Sequence, residues 1–185
     1  MKITQDPATL ETLTHHRWAI PIIALLHHER GAKFVQIVNR LQLSRDALTR
    51  SLTALTELGW VQRNAGYGHP LRPEYILTPS GAQLGATCLA LNQWLESSTF
   101  QESLLNKWSL PVLHAARSES RFSDLKRALP GITARALTTS LETLVEHDLL
   151  HVQNRRYHLT ERGLEVMPHL TKLNQALSNQ RLESA

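Results

Sequence analysis

Ala47-Leu48-Thr49-Arg50-Ser51-Leu52-Thr53-Ala54-Leu55 occurs a second time in this chain, as Ala136-Leu137-Thr138-Thr139-Ser140-Leu141-Glu142-Thr143-Leu144. Leu48, Leu52 and Leu55 share one face of a helix, and Leu137, Leu141 and Leu144 draw that face again. The opposite faces differ. Arg45, Asp46, Thr49, Arg50 and Thr53 point to water in the first copy, and Ala134, Arg135, Thr138, Thr139 and Glu142 in the second. Several of these carry guanidinium or short polar groups that can reach the edges of nucleic-acid bases. The pattern predicts a recognition helix present twice, over about Ser44 to Leu58 and Thr133 to Glu146.

Working outward, the duplication covers nearly the whole chain. Trp18 and Pro21 return as Trp108 and Pro111, 90 positions on, and Phe34 returns as Phe122. Beyond the repeated helix, Tyr75-Ile76-Leu77-Thr78-Pro79-Ser80-Gly81 matches Tyr157-His158-Leu159-Thr160-Glu161-Arg162-Gly163 at a spacing of 82. The connection between helix and strand is therefore seven residues shorter in the second copy than in the first, as a hairpin loop allows. At the same spacing, Leu91-Asn92-Gln93-Trp94-Leu95 meets Leu173-Asn174-Gln175-Ala176-Leu177.

Each copy has one order of elements. An apolar helix (about Arg17 to His28, and Lys107 to Ala116) precedes a short helix from Phe34 to Leu41, or Phe122 to Leu129. A tight turn leads to Ser44 or Thr133, whose hydroxyls suit the N-cap of the repeated helix, and Gly59 suits its end in the first copy. Trp60 to Arg63 and Leu150 to Gln153 read as strands pairing with those that carry Tyr75 and Tyr157. The first hairpin is long and holds Gly66, Gly68, Pro70 and Pro73, while the second turns tightly at Asn154-Arg155-Arg156. Helix, helix, recognition helix and hairpin is the winged helix-turn-helix order.

Thr78 and Thr160 are placed to cap a last helix in each copy. Leu84, Cys88, Leu91 and Leu95 make an apolar stripe there, and Val166, Leu170, Leu173 and Leu177 repeat its steps. Such a narrow stripe pairs helix with helix, either within the chain or between two chains. Pro168 predicts a kink or a late start in the second of them. The fold expected is mainly α with small β-hairpin wings, as two tandem winged helix-turn-helix domains forming a pseudo-dimer, the first over residues 1–98 and the second over 99–185.

Composition fits this organisation. With 185 residues, 42% hydrophobic and 19% charged, the chain is globular in type and long enough for two small domains sharing an interface. A net charge of +4 leans mildly towards a polyanionic partner. The single cysteine, Cys88, excludes an internal disulfide and a cysteine-only metal site, as suits a reducing compartment. No apolar run reaches the roughly 18 residues that cross a bilayer, and residues 1–14 lack a signal-peptide core, so a cytoplasmic protein is expected.

The chain resembles the HxlR family of bacterial winged-helix transcription regulators, related to the MarR group. Lys107-Trp108-Ser109-Leu110-Pro111-Val112-Leu113 is similar to that family's opening helix, and Arg121-Phe122-Ser123-Asp124-Leu125-Lys126-Arg127-Ala128-Leu129-Pro130-Gly131-Ile132-Thr133 to its most recognisable run. In the first copy, Leu41-Gln42-Leu43-Ser44 replaces the Leu-Pro-Gly-Ile turn, and the wing segment Arg72-Pro73-Glu74-Tyr75-Ile76-Leu77-Thr78-Pro79-Ser80-Gly81 is the better match. The resemblance implies homodimers that bind DNA, with terminal helices holding the subunits together. This chain departs by carrying two copies in one polypeptide, and it lacks the N-terminal cysteine with which some members sense oxidants.

These readings predict a sequence-specific regulator of transcription that binds double-stranded DNA. Arg45 and Arg50 in one copy and Arg135 in the other can fork onto guanine, Thr49 and Thr138 can meet a thymine methyl or a phosphate, and Asp46, Thr53 and Thr139 complete the exposed faces. Arg63 and Arg72 on the first hairpin and Arg155 and Arg156 on the second supply flanking charge. Because the two faces differ, a pseudo-dimer would read two unlike half-sites. A whole-chain homodimer with four winged helices is also compatible with the stripes. The alternative is a tandem winged-helix module that docks on proteins and uses no DNA. The histidine doublets His15-His16 and His27-His28 point about 100° apart on a helix, which suits no shared ion. His147 and His151 fall on different elements, so no metal or other cofactor is expected. Cys88 reads as a buried, inert thiol, and Trp18, Trp60, Trp94 and Trp108 as core. With no Gly-rich phosphate loop, nucleophile elbow or His-Glu-x-x-His, an enzyme is not expected.

Overall fold

The computed structural model describes residues 9–65 and 73–183. In the first copy, α1 (Leu10–His15) starts at Thr9, whose Oγ1 accepts from the Thr12 amide at 3.1 Å. Next, α2 (Ala19–Glu29) buries seven of its residues, from Ala19 to Ala24 together with Leu26, so it is a core helix with little solvent face. A short β1 (Ala32–Lys33) leads into α3 (Phe34–Leu41). The turn then passes through Gln42 at a φ of 52°, and Leu43 is buried beneath it.

The recognition helix α4 (Arg45–Glu57) begins at Ser44, which accepts from the Ala47 amide at 3.1 Å. It ends in a Schellman motif: the Gly59 amide donates to Thr56 O and the Trp60 amide to Leu55 O, both at 3.0 Å, with Gly59 at a φ of 74°. After it come β2 (Val61–Arg63), β3 (Glu74–Leu77) and the long α5 (Pro79–Glu96). The antiparallel sheet has the order β1-β3-β2, with Ala32 opposite Tyr75 and Arg63 opposite that same tyrosine.

The second copy repeats this with α6 (Gln101–Leu104), α7 (Ser109–Ala115), α8 (Phe122–Ala128), α9 (Ala134–Glu146), β4 (Leu150–Gln153), β5 (Arg156–Leu159) and α10 (Glu161–Glu183). Thr133 caps α9 by accepting from the Ala136 amide at 3.1 Å. Asp148 occupies the place of Gly59 at a φ of 55°, and the Leu149 amide donates to Leu144 O. In this sheet the third strand shrinks to a single bridge between Ser120 and Tyr157.

The caps of the last helices are copied bond for bond. Thr78 Oγ1 accepts from the Gly81 amide at 3.0 Å and donates to Gly59 O at 2.6 Å. Thr160 Oγ1 accepts from the Gly163 amide at 3.0 Å and donates to Asp148 O at 2.6 Å. Both glycines are required by space. A Cβ at Gly81 would run into the Trp60 carbonyl oxygen, and one at Gly163 into that of Leu149.

α5 and α10 pack along the predicted stripes: Leu84, Cys88, Leu91, Leu95, Val166, Leu170, Leu173 and Leu177 are all fully buried. Burying each of these leucines contributes about 2 kcal/mol, which makes the pair the main seam between the copies. The two helices run antiparallel. Gln180, late in α10, donates to Ser80 O at 2.7 Å, while Phe100, just past α5, lies 4.4 Å beneath the Arg162 guanidinium near the start of α10. α1 reaches from the first copy onto α7 of the second, where Thr14 Oγ1 donates to Lys107 O at 2.7 Å. The expected late start at Pro168 is not what the structure shows, because α10 begins at Glu161 and runs through the proline. Pro168 faces solvent, where water can take the Leu164 carbonyl that its missing N–H leaves free. No helix among the described residues is long and apolar enough to cross a membrane.

Candidate nucleic-acid interface

The outward faces of α4 and α9 are built from below. Leu48, Leu52 and Leu55 on one helix and Leu137, Leu141 and Leu144 on the other are buried, which fixes which residues remain outside. Arg45, Asp46, Thr49, Arg50 and Thr53 are exposed on α4, and Ala134, Arg135, Thr138, Thr139 and Glu142 on α9. Each helix is anchored at its start to the preceding helix. On the first copy the Arg45 guanidinium lies 5.3 Å over the Phe34 ring, so the charge is held at the junction of α3 and α4. On the second, Lys126 Nζ of α8 donates to Ile132 O in the turn before α9.

The polar groups on these faces are not equally available. The Thr49 hydroxyl donates to Arg45 O at 2.8 Å, so its proton is spent on its own helix and its methyl and lone pairs remain for a partner. Asp46 lies in the first turn of α4, where a carboxylate complements the helix dipole. Among the described residues, Arg50 and Arg135 enter no ion pair.

The hairpins differ as the spacing predicts. In the second, Asn154 and Arg155 sit at φ of 53° and 59° between the paired Gln153 and Arg156, the two-residue turn that matches the twist of the strands. Arg155 is exposed at its tip. Arg156 is held by Glu119 through a 3.0 Å ion pair, so part of its charge is already answered within the protein. In the first hairpin Arg63 is exposed on β2, while Arg72, together with Gly66, Gly68 and Pro70, lies outside the described residues.

Sequence reasoning missed Asn106 and Lys107. With Trp108, Arg135, Thr139 and Thr143 they line an open cleft of about 410 Å³ between the start of α7 and the outer face of α9. Lys107 Nζ lies 5.0 Å from the Trp108 ring centroid, much as Arg17 lies 5.3 Å from that of Trp18. Arg17, however, is paired with Glu102 at 3.2 Å, which leaves the lysine as the freer cation. The signal was the repeated basic-Trp pair, but its place beside the recognition helix follows only from the folded chain.

The remaining candidates behave as packing groups. Cys88 is fully buried, and that burial pushes its thiol pKa far up, so no reactive thiolate forms. His147 stacks on Phe100 at 4.6 Å, and His151 on His158 at 5.1 Å across β4 and β5. Among the described residues, no three His, Cys, Asp or Glu side chains gather where they could hold a metal ion.

Two capped recognition helices, each preceded by a short helix and followed by a β-hairpin, define a tandem winged helix-turn-helix protein. A model of the HxlR-like helix-turn-helix family matches the chain twice, over residues 13–103 and 103–184, and the chain belongs to that family of DNA-binding transcription regulators. No curated protein and no solved structure matches it.

Proposed function

We propose that this chain regulates transcription by binding a specific site on double-stranded DNA, with α4 and α9 in the major groove and the hairpins on the flanking backbone. The observation that supports this most is that two recognition helices, built on the same buried leucines, offer unlike polar faces from one polypeptide. Arg50 and Arg135 are the direct readers in this scheme, since each is an exposed guanidinium able to fork onto guanine O6 and N7. Thr49, Thr53, Thr138 and Thr139 meet thymine methyls or phosphates. Arg45 and Asp46 set the start of α4. Arg63, Arg72, Arg155, Arg156 and Lys107 supply charge for phosphates.

In this scheme residues 1–98 and 99–185 act as the two halves of a pseudo-dimer held by α5 and α10, so one chain occupies one operator. About four phosphate contacts would make affinity for duplex DNA fall about a hundredfold between 50 and 200 mM salt. Fluorescence anisotropy on labelled genomic fragments measures this. Binding indifferent to salt, or none to any fragment, would overturn the proposal and favour a role in docking on proteins.

A further inference from the structure

Equivalent clefts open in both copies on the side of the short helices. The first, of about 320 Å³, lies between α2, α3 and α5 and includes Pro21, Leu41 and Asn92. The second, of about 470 Å³, includes their counterparts Pro111, Leu129 and Asn174. They are not alike in chemistry. The α1 end, with Thr9, Leu10 and Glu11, forms part of the second cleft's wall. Where the first has the carboxylate of Glu96, the second has the hydroxyl of Ser178, which donates to Asn174 O at 2.8 Å.

Asn92 is the unusual member. It is 5% exposed, and its Nδ2 donates to Glu96 Oε1 at 2.8 Å. A carboxylate can only accept, so that bond fixes which end of the amide is nitrogen. Asn92 Oδ1 is buried with no hydrogen-bond partner among the described residues. An orphaned acceptor of this kind costs about 1–3 kcal/mol until a donor reaches it. Glu96, exposed at the rim, enters no ion pair among the described residues. Leu25 and Leu89 give the cleft an apolar wall.

His28 and the Arg40 guanidinium also line the cleft, but Arg40 is paired with Glu29. Asn92 Oδ1 and Glu96 therefore remain two acceptors with no cationic partner among the described residues, beside an apolar wall, and these define the complement. We propose that this first-copy cleft binds a small organic amine: its ammonium group donates to Asn92 Oδ1 and the Glu96 carboxylate, and its hydrocarbon body lies against Leu25 and Leu89. The Arg40 to Glu29 ion pair, at 3.7 Å and largely exposed, borders the cleft and is weak enough to yield to a ligand. Arg40 and Leu41 belong to α3, the helix that packs against α4, and Asn92 to α5, the helix that packs on α10. A ligand there bears on the placement of the first recognition helix relative to the seam, a consequence that rests on the DNA-binding role proposed above.

Isothermal titration without DNA tests the site by itself, with benzylamine and hexylamine as probes and benzoate as control. Saturable binding of an amine, one per chain, is expected, with none for benzoate. Glu96→Gln, at an exposed position, weakens it about tenfold. Asn92→Leu removes it, and the second-copy change Asn174→Leu leaves it unaltered. Absence of saturable binding by both amines, or affinity untouched by Glu96→Gln and Asn92→Leu, overturns the assignment. Neither result depends on whether the chain binds DNA.

Discussion

The indole Nε1–H of Trp60 donates to Gln180 Oε1 at 3.0 Å, a buried bond that joins residues 120 positions apart in the sequence. Trp60 follows the first recognition helix and Gln180 lies near the end of α10, so the bond ties the second copy's last helix to the junction of α4 and β2 in the first copy. Gln180 also donates to Ser80 O at 2.7 Å. Gln180→Leu strands the buried indole donor of Trp60 and leaves Ser80 O to water, and a loss of about 1–3 kcal/mol is expected in urea unfolding. A change of a few tenths would show that the apolar stripes alone hold the seam.

Gly81→Ala and Gly163→Ala are each expected to cost about 2 kcal/mol or more, because the added methyl meets a backbone carbonyl that cannot swing aside. Gly85→Ala meets the side chain of His27 instead, which can shift, so it should cost less. Thermal unfolding of the three variants checks the order. Equal losses would mean that the α2 to α5 contact is as rigid as the two wing junctions.

Asp148 holds a left-handed backbone at the position where the first copy has Gly59, at φ of 55° and 74°. Asp148→Gly relieves the side chain's steric cost there while its carbonyl still accepts from Thr160. It should therefore stabilise the protein by about 0.5–1 kcal/mol in denaturant unfolding. Gly59→Asp should do the reverse.

Much of this was legible in the sequence because the duplication prints each local rule twice. Ser44, Thr133, Thr78 and Thr160 are caps since a hydroxyl three residues before an orphan amide is a short-range matter. The stripes of α5 and α10 were readable for the same reason. What was not legible depends on residues distant in the chain. Nothing local tells that β1 adds an edge strand against Tyr75, that Glu119 claims Arg156, or that Arg45 settles on Phe34. The clefts lined by Asn92 and Lys107 likewise exist only where three or two helices meet.

His114 and His16 titrate below the ordinary histidine value of about 6.5. Burial is the main cause in both. Arg117 adds to it for His114, whereas for His16 the neighbouring His15 adds and Glu57 partly opposes. The folded chain thus resists taking these protons, and the unfolded chain takes them first as pH falls. Their contribution to stability is present above about pH 6.5 and is lost as pH falls below it towards the folded values. The unfolding temperature should accordingly drop between pH 7.5 and 5.5, and His114→Gln should make that drop shallower. An unchanged slope in the variant would remove His114 from the account.

Selection of bound sequences from random duplex DNA tests the proposed reading most directly. Two dissimilar elements about one helical turn, roughly 34 Å, apart are expected, with Arg50→Ala relaxing one and Arg135→Ala the other. A perfect palindrome, or a single element insensitive to one of these changes, would contradict the proposal that one chain reads DNA with two unlike helices.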